Sequence, residues 1–115
     1  MQIQVKGRNT PVTDDLRELV ERRFRKVANQ VSDLAVLEVE IKEERNPANP
    51  LSCHAETTLF LKGVTLRACE SARDMSHALN MCSDELARQV KRHRDKRRKR
   101  REARSSERDS VQIEV

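Results

Sequence analysis

Apolar positions alternate at the start of the chain. In "QIQVKG", Ile3 and Val5 fall on one side of an extended backbone and Gln2, Gln4 and Lys6 on the other, which reads as a half-buried strand. After the turn "RNTP" the period changes. Leu16, Leu19, Val20, Phe24, Val27 and Val31 recur at helical spacing, behind Thr13 as N-cap and with Asp14 and Asp15 where the helix dipole favours acids. The pattern predicts an amphipathic helix over about Asp14–Gln30. Alternation returns in "AVLEVEIKEE", with Leu37, Val39 and Ile41 opposite Glu38, Glu40 and Lys42. The prolines of "RNPANP" end that strand in a loop.

"SCHAETTLFLKG" sets Cys53, Ala55, Thr57, Leu59 and Leu61 against His54, Glu56, Thr58 and Phe60, and Lys62–Gly63 reads as a tight connection. "VTLRACE" then turns Leu66 and Ala68 inward. A second helix is expected to start near Asp74, capped by Ser71 or Asp74. Met75, Leu79, Cys82, Leu86, Val90 and His93 form its narrow apolar stripe, which stops after His93.

The predicted order is β-α-β-β-β-α. A strand, a crossover helix and a further strand imply one parallel pair, and three strands in succession imply an antiparallel meander. Each strand has one apolar face, so only one side of the sheet needs cover, and two helices of this length suffice. The expected fold is an α+β two-layer sandwich: a four-stranded sheet with two helices on one face. Residues 1–101 make up the expected domain, and residues 102–115 a charged, disordered tail or the start of a linker.

Composition narrows the function. Phe24 and Phe60 are the only aromatic residues, so the core is aliphatic. No apolar run approaches the roughly 18 residues of a membrane span, and "MQIQVKGRNT" lacks the apolar centre of a secretion signal. Three cysteines without a paired spacing fit a reduced, cytosolic protein.

Charge is the strongest signal, because of where it lies. Residues 1–87 carry 12 basic and 14 acidic side chains, whereas Arg88–Arg104 carries 11 basic and 2 acidic. A polyanionic partner contacted mainly through that segment follows. The open sheet face is expected to be mixed in sign, and Phe60 alone is no platform for stacking bases. The helices are better candidates. Arg17, Arg22, Arg23, Arg25 and Lys26 on the first, with Arg88, Lys91, Arg92, Arg94 and the run Lys96–Arg101 on the second, would lie side by side as one basic, ridged surface. A surface of that kind neutralises phosphates and recognises nucleic acid by shape.

Catalysis has little to work with. His54, His77 and His93 fall in different elements with no motif joining them, and there is no Gly-rich phosphate loop. Cys53 and Cys82 are expected inward, as small apolar residues, and Cys69 outward. No cofactor, metal or small-molecule substrate is implied.

The segment "GVTLRACESARDMSHALNMCSDELARQVKRHRDKRRKR" resembles the closing part of the ribosome hibernation-promoting factors, also called ribosome-associated inhibitors. The likeness rests on Glu70, Asp74 and Met75 at the helix entry, then Asp84, Leu86, Ala87, Arg88, Gln89, His93, Asp95 and Lys96. The opening strand and the helix with Arg23, Phe24 and Lys26 resemble the family's start. Ser76 departs from it, standing where the family usually has an aromatic residue.

The resemblance implies the same β-α-β-β-β-α fold in a non-enzymatic, cytoplasmic, ribosome-associated protein. It also implies binding to the small ribosomal subunit and its rRNA in the tRNA and mRNA region, silencing or preserving idle ribosomes. By matching position it points to Arg17, Arg23, Lys26, Arg88, Arg92, Arg94 and Lys96 as RNA contacts; charge alone adds Lys91 and Arg97. The chain ends at Val115 without the linker and C-terminal domain through which long members pair ribosomes. It therefore reads as a short form or the first domain of a long one, and ribosome dimerisation is not supported by this chain alone. The competing readings are a general structured-RNA-binding module or ribosome assembly factor, and a nuclease acting through His54 or His77.

Overall fold

The structure is a computed structural model that describes residues 1–44, 48 and 50–114, with side chains described through Ala103. Its elements are β1 (Gln2–Arg8), α1 (Asp14–Arg23), α2 (Arg25–Ala28), β2 (Val36–Glu43), β3 (Cys53–Leu61), β4 (Val64–Ala72) and α3 (Met75–Glu114). The sheet order is β1-β2-β3-β4. β1 pairs parallel with β2, with Val5 opposite Val39; β2 and β3, then β3 and β4, pair antiparallel. The parallel pair follows from the helical crossover, and the meander from the short connections. Most of the expected "RNPANP" loop (Arg45, Asn46, Pro47 and Asn49) lies outside the described residues.

Alternation decides the layers. Leu37, Val39 and Ile41 of β2 and Ala55, Thr57 and Leu59 of β3 are buried under the helices. They pack with Val20, Phe24 and Val27 from the first helical stretch and Leu79, Cys82, Leu86 and Val90 from α3. Two polar residues in this core are satisfied, as burial demands. The Thr57 hydroxyl donates to the Ala68 carbonyl at 2.8 Å, and the Ser83 hydroxyl to the Arg23 carbonyl at 2.7 Å. Cys53 and Cys82 are buried and Cys69 is exposed. Burial raises the Cys53 thiol pKa and pushes that of Cys82 up to about 12.

Caps fall at the expected positions. The Leu16 N–H donates to Thr13 Oγ1 at 3.2 Å, and the His77 N–H to Asp74 Oδ1 at 2.7 Å, so Asp74 rather than Ser71 starts the last helix. Lys62–Gly63 closes the β3–β4 hairpin between paired Leu61 and Val64, with Gly63 at φ 80°. Glycine takes that conformation without steric cost.

The structure differs from the sequence expectation at both helices. The predicted helix over Asp14–Gln30 is interrupted at Phe24 and ends at Ala28. The cause is tertiary: Ser83 captures the Arg23 carbonyl while the Phe24 ring is drawn fully into the core, and a side chain inserted at a helix carbonyl breaks the ladder. α3, by contrast, runs past the end of its apolar stripe. Its backbone is helical to Glu114, through most of the segment expected as a tail. Arg, Lys, Glu and Ala are good helix formers, and Arg98 sits 3.7 Å from Glu102 one turn on.

Candidate nucleic-acid interface

Exposed cations gather on α3, and successive residues of a helix turn by 100°. The buried stripe of Met75, Leu79, Cys82, Leu86 and Val90 faces the sheet. Arg88, Arg92 and Lys96 follow one another at intervals of four on the exposed side, forming one ridge with Lys91 beside it. Of these, Arg88 alone has an ion pair among the described residues, with Glu85 at 2.9 Å. That pair is solvent-exposed and one turn apart on a helix, so it offsets little of the charge. Gln89 fixes the flank of the ridge against the sheet, donating to the Arg67 carbonyl of β4 at 2.9 Å.

Arg94 and Arg97 stand elsewhere. They fall on the continuation of the inward stripe, past the end of the sheet, where the helix overhangs the β3–β4 turn. There, with His93, Arg98 and Arg101, they wall a cleft of about 480 Å³ against Gln30, Val31, Ser32, Leu61 and Lys62. His93, expected as a helix-end packing residue, is half-buried in that wall.

The cations of the first helical stretch do not merge with the ridge. Arg23 is half-buried, and its guanidinium donates to Ser76 Oγ of α3 at 2.8 Å. Lys26 pairs with Asp84 of α3. Both side chains hold the seam between the helices, so part of their charge is spent inside the protein. Ser76, the departure from the family's aromatic, is the acceptor that ties Arg23 down. Arg17 is exposed on the other flank of α1, in a shallow depression with Ile3, Val5 and Glu21 at the β1 edge. The nine expected contact residues thus occupy four places: the β1 edge, the seam, the ridge and the cleft. Sequence reasoning missed Arg98, Arg101 and Lys62 as cleft residues. The signal was present, because Val90, Arg94, Arg97 and Arg101 extend the stripe at spacings of four, three and four.

The open sheet face uses its charges locally. Arg8 meets Glu40 at 2.9 Å, and Lys42 meets Glu44 at 2.9 Å. His54 lies 2.6 Å from the Ser71 hydroxyl and 3.6 Å from Glu44. The Lys42 ammonium, by hydrogen bond and charge, holds the Glu44 carboxyl below its ordinary pKa. Phe60 is exposed there as a lone aromatic. Among the described residues no cluster of three metal-ligating side chains occurs, and no helix is long and apolar enough to cross a membrane.

Comparison with known proteins agrees with this architecture. The family model "Sigma 54 modulation protein / S30EA ribosomal protein" matches residues 3–98. The ribosome hibernation promoting factor of Salmonella typhimurium is 31% identical over 96 residues, covering 84% of this chain and 96% of that protein. The ribosome hibernation promotion factor of Staphylococcus aureus is 30% identical over 96 residues, covering 82% of this chain but 48% of its own length. Among solved structures, the N-terminal domain of Thermus thermophilus Protein Y superposes with a TM-score of 0.68 at 26% identity, covering 81% of this chain and 99% of that one. The chain belongs to the family of the ribosome hibernation promoting factors, the Sigma 54 modulation protein / S30EA ribosomal protein family.

Proposed function

We propose that the protein is a ribosome-binding hibernation factor that acts by occupancy rather than catalysis. It docks in the cytoplasm on the small ribosomal subunit, in the region that tRNA and mRNA use, and keeps idle ribosomes silent and intact. Residues 1–101 form the binding domain, with residues 102–115 a charged extension of it. The observation that carries this reading is the ridge of Arg88, Lys91, Arg92 and Lys96. A row of exposed cations on a helix anchored by Leu86 and Val90 is a fixed pattern of charge, which suits the phosphates of a shaped RNA groove. Family membership supports the choice of the ribosome as the polyanion.

Sedimentation with purified ribosomes tests the proposal. The expected result is co-migration with the small subunit at moderate salt and inhibition of translation in vitro. A protein that stays at the top of the gradient would sink it. Equal affinity for an unrelated RNA duplex and for ribosomes would favour the general RNA-binding module instead.

A further inference from the structure

The cleft under the overhanging part of α3 differs from the ridge in kind. Its floor is apolar: Val31 and Leu61 are half-buried there, and Val90 closes the inner end. Its rim is cationic, with Arg94, Arg97 and Arg101 from the helix and Lys62 from the hairpin turn opposite. Among the described residues no acidic side chain lines it, and of its arginines Arg98 alone has an ion pair, with Glu102 at 3.7 Å. Several like charges held around one small space repel one another, and an anion placed among them relieves that repulsion. Phosphate alone would leave the apolar floor wet.

We infer that the cleft binds a single nucleotide, its ring on the floor of Val31 and Leu61 and its phosphates on Arg97, Arg101 and Lys62. The volume, about 480 Å³, lies within the range of small-molecule sites. A flat ring covers apolar surface that water otherwise wets, and guanidinium groups grip phosphate oxygens in pairs. Gln30 and Ser32 on the third wall add an amide and a hydroxyl that a ring edge can hydrogen-bond. The same chemistry is presented by a nucleotide extruded from an RNA strand and by a free nucleoside polyphosphate. The inference deepens the RNA reading above and rests on it only for the source of the nucleotide.

Binding of the intact protein to a labelled RNA duplex with one bulged nucleotide, and to the same duplex fully paired, tests the RNA source. Competition by ATP and by inorganic tripolyphosphate tests the free one. The site predicts a preference of about tenfold for the bulge, for ATP over tripolyphosphate, or for both, the scale of removing roughly 55 Å² of apolar surface from water. It predicts that Arg97→Gln with Arg101→Gln, or Lys62→Gln alone, reduces the preference. Arg88→Gln with Arg92→Gln, on the ridge, should weaken both RNAs alike and leave their ratio unchanged. A preference for the bulge alone assigns the site to RNA, and one for ATP alone to a free nucleotide. No preference in either arm, or a preference that survives all the cleft variants, overturns the inference. Failure of ribosome co-sedimentation with an intact nucleotide preference would remove the ribosomal reading and leave this one standing.

Discussion

On the open face of the sheet, Arg8 lies against Glu40, Lys42 against Glu44, and His54 between Glu44 and Ser71. On the helix side, Lys91, Arg92, Arg94 and Lys96 stand exposed with no ion pair among the described residues. Both surfaces are rich in charge, yet the sheet face sets its remaining cations, Lys6 and Arg67, among Glu38, Glu40 and Glu56, whereas the helix side gathers an excess of cations for a partner. A cation already held by a neighbouring carboxylate must lose that neighbour before a phosphate gains it. Pairing and the local balance of acid and base, more than the number of charges, separate a solvated face from a binding face.

The contrast depends on α3 being held rigidly over the sheet, and Leu86 is where that hold can be broken. It is fully buried at the centre of the helix contact, so Leu86→Ala should cost about 2–5 kcal/mol of stability through lost contacts and the cavity left behind. Urea unfolding measures the loss directly. Ribosome binding should fall with it at temperatures where the variant is partly unfolded and recover on cooling. Wild-type stability would show that the helix is not anchored as described.

The next test separates charge from anchoring. Arg88→Glu with Arg92→Glu alters the ridge and leaves the core untouched. Loss of two charge-assisted contacts should weaken ribosome binding about 100-fold and flatten its salt dependence. Thermal unfolding should change little, because both side chains are exposed. If the variant inhibits translation at wild-type concentration, the ridge is a solvated face like the sheet and the comparison fails.

Much of this architecture was legible in the sequence because it follows from period. The alternation of Leu37, Val39 and Ile41 names the buried face of β2, and the stripe from Met75 to Val90 names the anchored face of α3. Lys62–Gly63 and Asp74 mark a turn and a cap by their own chemistry. What could not be read was tertiary. Nothing local to Phe24 announces a break there, since the break comes from Ser83, sixty residues later in the chain. Nor does local sequence reveal that Arg23 and Lys26 are tied across the seam to Ser76 and Asp84, while Arg17 points to the far edge. Along the chain the basic run Lys96–Arg101 is unbroken. Counted around the helix, Arg97 and Arg101 continue the inward stripe and leave the ridge.

The seam offers a smaller and more local perturbation. Ser83→Ala removes the hydroxyl that donates to the Arg23 carbonyl, losing a hydrogen bond worth about 0.5–1.5 kcal/mol. Besides the shift in urea midpoint, the break at Phe24 should heal. The Arg23 carbonyl is then free to accept from the Val27 amide in ordinary helical fashion, and slower hydrogen exchange at Val27 would report it. An unchanged exchange rate would mean that burial of Phe24, rather than Ser83, sets the break.

The smallest effect is expected where the sheet face spends its charge. Glu44 has its pKa lowered below the ordinary 4.5, chiefly by the hydrogen bond and charge of Lys42, with His54 adding less. A depressed carboxyl stabilises the fold at pH values above its unfolded pKa, and that contribution disappears as pH falls through the lower folded value. The stability difference between the wild-type protein and Glu44→Gln should therefore be constant above about pH 5 and shrink below pH 4.5. It should also shrink in high salt, because the pair is open to solvent and screened. Ribosome binding at neutral pH should be unaltered by the substitution. A clear loss of binding in Glu44→Gln would mean that the paired face touches the partner after all, and that pairing does not mark a face as idle.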